Sequence, residues 1–220
     1  MSYVKIAIDG PAASGKSTIA KLISNELGYE YIDTGSMYRA ITLKALLLDI
    51  DLTIESNFAF VEDTHFKFEE GHLFMDGVDV SSKIRKHKVS NNVSLVSSYL
   101  SVRNECVRIQ REVAEHSNVV MDGRDIGYIV LPNADFKFFL TASIEKRAER
   151  RYKDNIDRGL NSDIEVLKEK IAQRDHFDST REHSPLKPAS DAIIIDTSDL
   201  TIEQVVALIT NKIRGINNGI

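Results

Sequence analysis

The segment GPAASGKST has the residue types and the spacing of a phosphate-binding loop. It matches the pattern Gly-x-x-x-x-Gly-Lys-Ser/Thr at every fixed position, and it follows a predicted strand and opens a predicted helix. Two glycines allow such a loop to curl, so that successive backbone N–H groups and the positive end of the helix face one anion. We therefore expect a phosphate loop formed by Gly10, Pro11, Ala12, Ala13, Ser14, Gly15, Lys16, Ser17 and Thr18.

Two side chains of this loop have predicted roles in chemistry. Lys16 is expected to reach the β- and γ-phosphates of a nucleoside triphosphate, and the Ser17 hydroxyl is expected to ligate Mg²⁺. A phosphate loop serves GTPases, motors, mechanical ATPases and small-molecule kinases. A GTPase needs an Asn-Lys-x-Asp motif, and the one Asn-Lys pair, Asn211-Lys212, is followed by Ile and Arg. A kinase needs cationic groups outside the loop for its second substrate.

The segment DTGSMYRA, residues 33–40, is the first candidate for such a second site. It follows a predicted strand, and Thr34 is predicted to cap the helix that carries Arg39. A hydroxyl at a helix start and an arginine one turn later can form an anion cradle. A cap followed by a surface arginine explains the same residues, so the segment alone leaves both interpretations open.

The segment VVMDGRDIGYIV, residues 119–130, is the second candidate. An Asp-Gly pair after a β-branched run is typical of a hairpin. If the phosphate loop follows the first strand, however, the strand at 119–121 becomes its neighbour in a parallel sheet. The chain beyond residue 130 runs into Pro132 and a separate strand, so a hairpin lacks its partner. We therefore predict that Gly123 makes a turn whose charged residues face the phosphate site.

The elements that must position these residues are short apolar runs separated by helical patterns. Five runs are predicted strands: residues 4–8, 29–32, 119–121, 136–140 and 192–195. Strands that alternate with helices predict an α/β fold with a parallel sheet covered on both faces. Ligands bind at the carboxyl ends of such strands. Most of the predicted strands end at an aspartate, namely Asp9, Asp33, Asp122 or Asp196.

Two segments depart from this alternation. Residues 62–80 alternate apolar and polar side chains and contain turn signals at Gly71 and at Asp76-Gly77, so we predict a small antiparallel insertion. Residues 145–181 are highly charged and have helical periodicity, interrupted at DRGLNSD. Charge alone predicts a solvated helical pair for them.

Composition excludes several classes of protein. The formal net charge of −5 provides no basic field for a nucleic acid polymer. A single cysteine, Cys106, excludes internal disulfides, and its helical spacing with apolar residues predicts a core position. The N-terminal segment lacks the features of a signal peptide, and no apolar run approaches the roughly 18 residues of a membrane span. We expect a cytoplasmic protein without a membrane partner, and a monomer because no exposed apolar stripe is evident.

Four segments together resemble a known family. GPAASGKST, DTGSMYR, DGRDIG and RDxxDxxR (174–181), in this order and spacing, resemble those of the bacterial cytidylate kinases, a branch of the nucleoside monophosphate kinases. The resemblance covers nearly the whole chain, including the insertion at 62–80. It implies a P-loop three-layer fold with a five-stranded parallel core (1–60, 87–144 and 185–220), an inserted lobe that binds the monophosphate (61–86) and a helical lid (145–184). It also implies transfer of the γ-phosphoryl group of ATP to CMP or dCMP with Mg²⁺.

The resemblance also implies roles for single residues. The acceptor phosphate would be held by Arg39, Arg124 and Arg181 near Thr34; the cytosine would be recognised by Ser94, Arg103 and Asp125; and the sugar would meet Arg174 and Asp178. A carboxylate can accept from the cytosine amine and repels the corresponding oxygen of uracil, and an arginine can donate to the ring nitrogen and carbonyl. A helix-surface serine and a solvated helix face remain the alternatives for Ser94 and Arg103.

The implied chemistry needs no general base, because the acceptor is already an ionised phosphate and catalysis is positioning plus charge neutralisation. The groups expected to act on the transferring phosphoryl group are Lys16 and a lid arginine, which is Arg150, Arg151 or Arg158. The lid would close over ATP and expel water. Asp33 and Asp122 could orient waters on Mg²⁺ or could serve as cap or turn residues.

Overall fold

The computed structural model describes residues 3–69, 71–157 and 159–217. Its strands are β1 (Lys5–Asp9), β2 (Glu30–Asp33), β3 (Phe66–Glu69), β4 (His72–Met75), β5 (Val78–Asp79), β6 (Val119–Gly123), β7 (Phe136–Thr141) and β8 (Ile193–Asp196). Five of them form one parallel sheet in the order β2-β6-β1-β7-β8. This confirms the predicted five-stranded α/β core.

The helices are α1 (Lys16–Leu27), α2 (Thr34–Leu47), α3 (His87–Val96), α4 (Leu100–Ala114), α5 (Ile144–Asp157), α6 (Ile164–Thr180) and α7 (Ile202–Asn217). Helices α1 and α7 pack together on one face of the sheet, where Ile19, Ile23 and Ile209 are buried. On the other face, α2 and α4 enclose a second core that includes Met37 and Cys106, so the predicted core position of the cysteine is confirmed. Three layers follow from these two apolar faces. No helix in the described part of the chain is long and apolar enough to cross a membrane.

Glycines determine where the phosphate loop and α1 begin and end. A Cβ atom at Gly10 would lie 2.1 Å from the Leu140 carbonyl oxygen, so the loop can pack against β7 only without a side chain there. Helix α1 starts after Gly15, whose φ is +89°, and ends at Gly28, whose φ is +69°. A left-handed residue after the last turn is the common way to end a helix.

The insertion is antiparallel, as predicted, and it has three strands in the order β3-β4-β5. Its second turn contains Asp76 and Gly77, both with positive φ, which is the conformation of an Asp-Gly hairpin turn. Leu73 and Met75 of β4 pack against Ala40 and Leu43 of α2. The sheet is therefore attached to the helix that carries Arg39.

The charged segment forms the helices α5 and α6, which pack along each other. Strand β6 pairs in parallel with both β1 and β2, so Asp122-Gly123 is not a hairpin turn. A short π-helical turn, Ile126–Val130, follows it instead. The charged residues between this turn and β6 lie at the carboxyl edge of the sheet, where β1 and β2 also end.

Candidate active site

A cavity of about 660 Å³ opens at the carboxyl ends of β1, β2 and β6. The phosphate loop forms one wall, the start of α2 and the corner between α3 and α4 form another, and α5 and α6 lie across it. Most of the predicted site residues line this one cavity: Ala12 to Thr18, Thr34, Arg39, Arg103, Arg124, Asp125, Arg150, Arg151, Arg174, Asp178 and Arg181. The sheet therefore brings together segments that are far apart in the chain.

Lys16 is buried within the phosphate loop, and its ammonium group donates to the Pro11 carbonyl oxygen at 3.2 Å. Burial lowers the pKa of Lys16 well below its usual value, and the positive charge of Arg124 acts in the same direction. An anion bound in the loop favours the charged form of the ammonium group. The lysine is thus placed where a phosphate group would stabilise its charge.

Ser17 and Asp122 form the pair that could hold a metal ion. The Ser17 hydroxyl donates to Asp122 Oδ2 at 2.7 Å, and the Tyr31 hydroxyl donates to Asp122 Oδ1 at 2.8 Å. Burial raises the pKa of Asp122, and the nearby carboxylate of Asp33 raises it further. A hydroxyl and a carboxylate beside a phosphate loop fit Mg²⁺, which binds one or two such ligands together with substrate phosphates. Within residues 3–69, 71–157 and 159–217 there is no cluster of three or more acidic, His or Cys ligands.

The start of α2 differs from the prediction. Asp33, not Thr34, caps the helix, because its carboxylate accepts from the Ser36 backbone N–H at 3.1 Å. Thr34 is the first helical residue, and its hydroxyl donates to the Asp122 carbonyl oxygen at 2.7 Å. Arg39 donates to the Ser90 hydroxyl at 2.8 Å and extends to the cavity. Burial lowers the pKa of Arg39 to about 10.

Arg103 and Asp125 form a buried ion pair on the far side of the cavity. A guanidinium nitrogen of Arg103 donates to Asp125 Oδ2, and another donates to the Ser97 carbonyl oxygen at 3.0 Å. The guanidinium carbon lies 5.4 Å from the centre of the Tyr38 ring. Arg103 is only 3% exposed, so the alternative of a solvated helix face is wrong. Its Nε is buried without a hydrogen-bond partner among the described residues.

Positive charge is concentrated around Asp178. Arg124 Nε donates to Asp178 Oδ2 at 3.0 Å, and Arg174 Nε lies 3.8 Å from the same oxygen. Although burial opposes ionisation, Arg124 and Arg174 together hold the pKa of Asp178 below its usual value. In the described part of the chain, Arg174 Nε and Arg181 Nη2 are buried without an acceptor. We call Arg39, Arg124, Arg174 and Arg181 the arginine cluster; its unpaired donors suit an anionic ligand.

The helices α5 and α6 are anchored to the phosphate loop by two arginines. Arg147 donates to the Ala12 carbonyl oxygen at 3.2 Å and pairs with Asp175 of α6 at 2.6 Å. Arg150 donates to the Thr197 hydroxyl at 3.0 Å and to the Ser14 carbonyl oxygen at 3.3 Å. Arg151 lines the cavity, and Arg158 lies outside the described residues.

Comparison with known proteins identifies the family. Residues 6–215 match the family model described as cytidylate kinase. The chain belongs to the cytidylate kinase family. It is 50% identical to a cytidylate kinase of Bacillus thuringiensis, over 99% of this chain and 97% of that protein. It is 49% identical to a cytidylate kinase of Streptococcus gordonii, over 98% of this chain and 99% of that protein.

The fold is also similar to that of a solved structure. The crystal structure of an uncharacterized protein from Eubacterium ventriosum superposes with a TM-score of 0.53 at 14% identity, over 97% of this chain and 99% of that chain. This similarity concerns the fold alone. The assignment of this chain to the family therefore rests on the sequence matches.

Three of the predicted site residues lie away from the cavity surface. They are Gly10 and Pro11 of the phosphate loop and half-buried Ser94, which are not among the lining residues in the described ranges. Ser97, which directly follows the last residue of α3, lines the cavity instead. The sequence did not distinguish Ser97 from Ser94 and Ser98, because three serines lie close together. Which of them lines the cavity depends on where α3 ends.

Asp9 has a structural role that the sequence did not indicate. Its buried carboxylate accepts from the backbone N–H groups of Ile126 and Gly127, both at 2.8 Å. It thereby joins the residue before the phosphate loop to the turn after Asp125. Burial raises the pKa of Asp9 to about 7, while the two backbone hydrogen bonds oppose that rise.

Proposed function

We propose that this protein transfers the γ-phosphoryl group of ATP to CMP or dCMP, with Mg²⁺, giving CDP or dCDP for pyrimidine nucleotide metabolism. The observation that carries the proposal is one cavity with a phosphate loop on one wall and the arginine cluster with the Arg103–Asp125 pair on the other. Two anion sites facing one cavity fit two phosphate-bearing substrates. Family membership supports the same conclusion.

The donor side consists of the phosphate loop and the metal ligands. The loop and Lys16 would bind the β- and γ-phosphates of ATP, and Ser17 with Asp122 would hold Mg²⁺. When bound, the metal neutralises negative charge that develops on the transferring phosphoryl group. The hydrogen bond from Ser17 to Asp122 leaves the lone pairs of the serine oxygen available for the cation. This supports the assignment of Ser17 as a ligand, and Asp33 is then left to its role as a helix cap.

The acceptor side binds the monophosphate through the arginine cluster. The unpaired donors of Arg174 and Arg181 can be satisfied by phosphate oxygens, which relieves the cost of burying them. Asp178 would accept from the sugar hydroxyls while it stays paired with Arg124. Thr34 would act by fixing the position of β6 and the residues that follow it.

The base is read by a carboxylate whose orientation is fixed before the ligand arrives. Asp125 Oδ2 is held by Arg103, which leaves its other oxygen free to accept from the cytosine amine. Uracil presents an oxygen at that position, so it would be repelled. Ser97, which lines the cavity near Arg103, replaces Ser94 as our preferred serine at the base site.

Transfer itself requires positioning rather than proton abstraction. The acceptor phosphate is already ionised, so the residues hold donor and acceptor in line and neutralise charge. Arg150 and Arg151 both line the cavity, and both remain our candidates for the arginine that contacts the transferring group. The core (1–60, 87–144 and 185–220), the inserted lobe (61–86) and the lid (145–184) would move relative to one another around the substrates.

A panel of acceptors tests this proposal. Phosphorylation of CMP, dCMP, UMP and AMP by ATP with Mg²⁺ is measured as kcat/KM, and CMP and dCMP are expected to exceed the others by about tenfold or more. If UMP or AMP exceeds CMP and dCMP by that factor, the assignment of the base site is wrong. If ADP does not form with any acceptor, the protein is a nucleotide-binding module rather than an enzyme. We also propose that the protein is a cytoplasmic monomer without a nucleic acid partner. Sedimentation velocity tests the oligomeric state.

A further inference from the structure

Tyr31 lies outside the cavity, but its hydroxyl contacts Asp122 of the proposed metal site. Its ring is half-buried on β2 and packs against the apolar cluster under α1. Its hydroxyl donates to Asp122 Oδ1 at 2.8 Å, while the Ser17 hydroxyl donates to Asp122 Oδ2 at 2.7 Å. Each oxygen of this buried carboxylate therefore has its own hydroxyl donor.

The register of the sheet explains why Tyr31 reaches this carboxylate. Strands β2 and β6 are parallel, with Tyr31 opposite Val120 and Asp33 opposite Asp122. Side chains on a strand alternate between faces, so Val120 and Asp122 share one face of the sheet, and Tyr31, opposite Val120, lies on that face too. Along the strands, Tyr31 is two residues short of Asp122. A tyrosine is long enough to span that offset, and its hydroxyl arrives at the oxygen that Ser17 does not contact.

The direction of the Ser17 hydroxyl depends on the orientation of the Asp122 carboxylate. A serine hydroxyl has one proton and two lone pairs. Since the proton is donated to Asp122, the lone pairs are directed toward the phosphate loop, where a cation would bind. Rotation of the carboxylate would turn the serine proton away and would move those lone pairs. One hydrogen bond from Ser17 leaves the carboxylate able to rotate, and a second bond from the opposite side prevents it.

We propose that Tyr31 is a positioning residue for the magnesium site: its hydroxyl fixes the orientation of the Asp122 carboxylate and, through it, the Ser17 hydroxyl that ligates the metal. This inference rests on the proposed binding of Mg²⁺ at Ser17. In the described part of the chain, Tyr31 is not among the residues that line the cavity. Outer residues of this kind typically change metal affinity by about 10–100-fold when they are removed.

The test compares Tyr31→Phe with Tyr29→Phe. Phenylalanine keeps the ring and removes only the hydroxyl. Tyr29 is a matched control because it is half-buried on the same cluster and its hydroxyl makes no hydrogen bond to another described residue. The affinity for a fluorescent ATP analogue is measured in EDTA and across a magnesium titration, and the affinity for CMP is measured in parallel. Activity is then measured as a function of magnesium concentration at saturating substrates.

For the wild type and for Tyr29→Phe, we expect magnesium to strengthen binding of the ATP analogue to the same degree. For Tyr31→Phe, we expect the half-saturating magnesium concentration to rise by about tenfold, while binding of the analogue in EDTA and binding of CMP are unchanged. Restoration of turnover at high magnesium would support the same assignment, because the metal would then fill the weakened site.

Three results overturn the inference. An unchanged magnesium titration in Tyr31→Phe shows that the hydroxyl does not position the site. Equal losses of binding in EDTA, of CMP binding and of magnesium affinity show a general structural role. If magnesium does not strengthen binding even in the wild type, the proposed metal site itself is wrong and the inference falls with it. The first two results leave the proposed function intact.

Discussion

Asp125 forms a buried ion pair with Arg103. Removing one member of a buried ion pair costs about 3–5 kcal/mol, because the remaining charge is left unpaired. Truncation of Asp125 to alanine therefore affects folding as well as recognition. Asparagine keeps the shape and one acceptor oxygen for Arg103, and it places an NH₂ group where the second carboxylate oxygen was. This substitution separates the two effects.

We expect Asp125→Asn to change the choice between CMP and UMP. The new NH₂ group opposes the cytosine amine and can donate to the uracil oxygen, so the ratio of kcat/KM for CMP to that for UMP should fall by about tenfold or more. The KM for ATP serves as the internal control and should not change. Equal losses with both acceptors would make Asp125 a structural residue instead.

Lys16 is expected to be required with every acceptor. Lys16→Ala should lower kcat by about 10²–10³-fold, the usual loss when one preorganised charge donor to the transition state is removed. Lys21→Ala is the matched control, because Lys21 lies on the exposed face of the same helix. Steady-state rates with CMP and dCMP measure both variants. Near-normal turnover of Lys16→Ala would remove the phosphate loop from the mechanism.

At the scale of elements, the phosphate loop depends on its contact with β7. Gly10 and Gly28 both have positive φ, but their surroundings differ. A Cβ atom added to Gly10 would lie 2.1 Å from the Leu140 carbonyl oxygen, whereas one added to Gly28 would have no atom within 4 Å. Gly28→Ala is thus expected to cost only the backbone strain, about 1–2 kcal/mol. Gly10→Ala should cost more and should also weaken ATP binding, because the loop must move. Urea unfolding and ATP titration measure the pair, and equal effects would contradict the packing argument.

Asp9 couples two elements, and its effect on stability depends on pH. Burial raises the pKa of Asp9 to about 7, above its ordinary value of 3.8, so between these values the folded protein holds a proton that the unfolded chain has released. The contribution of Asp9 to stability is therefore present at low pH and is lost as the pH rises through about 7. Between about pH 5 and pH 8, the wild type should lose more stability than Asp9→Asn. Urea unfolding at both pH values checks this, and parallel curves would contradict it.

At the scale of the whole molecule, α5 and α6 connect the phosphate loop to the arginine cluster. Arg147 and Arg150 of α5 bind the phosphate loop backbone, whereas α6 carries Arg174 of the arginine cluster and Asp178, which pairs with Arg124. Buried donors without acceptors make this half of the cavity costly to close when it is empty. Both phosphates together should therefore favour the closed arrangement more than either one.

Hydrogen exchange measures that closure. We expect backbone amides in residues 144–157 and 164–180 to exchange more slowly when ATP and CMP are present together than with either alone. The buried strands β1 and β6 provide the reference, because their exchange should depend on global stability only. Equal protection by one ligand and by both would show that the lid does not respond to the second phosphate.

The sequence predicted the features that depend on residues close together in the chain. The phosphate loop is a contiguous motif, the parallel core follows from apolar runs separated by helices, and the inserted sheet was indicated by Asp76-Gly77. The acceptor side could not be predicted in detail, because its contacts join distant elements. Tyr31 and Asp122, for example, are 91 residues apart in the chain. Which of the serines near the end of α3 lines the cavity depends on where that helix ends. The predicted cap of α2 was wrong because aspartate and threonine are both common helix caps. The Thr34 hydroxyl binds β6 instead, which leaves Asp33 as the cap.

The turn after β6 has a practical consequence for redesign. Its adjacent residues Arg124 and Asp125 are bonded to different parts of the molecule, Arg124 to Asp178 of the lid helix and Asp125 to Arg103 of α4. A library of variants at this turn would alter acceptor choice and lid closure at once, so gains in one would be masked by losses in the other. Ser97 borders the proposed base site, and among the described residues its hydroxyl donates to the Ser94 carbonyl oxygen rather than to α5 or α6. It is therefore the better starting point for engineering a new pyrimidine preference.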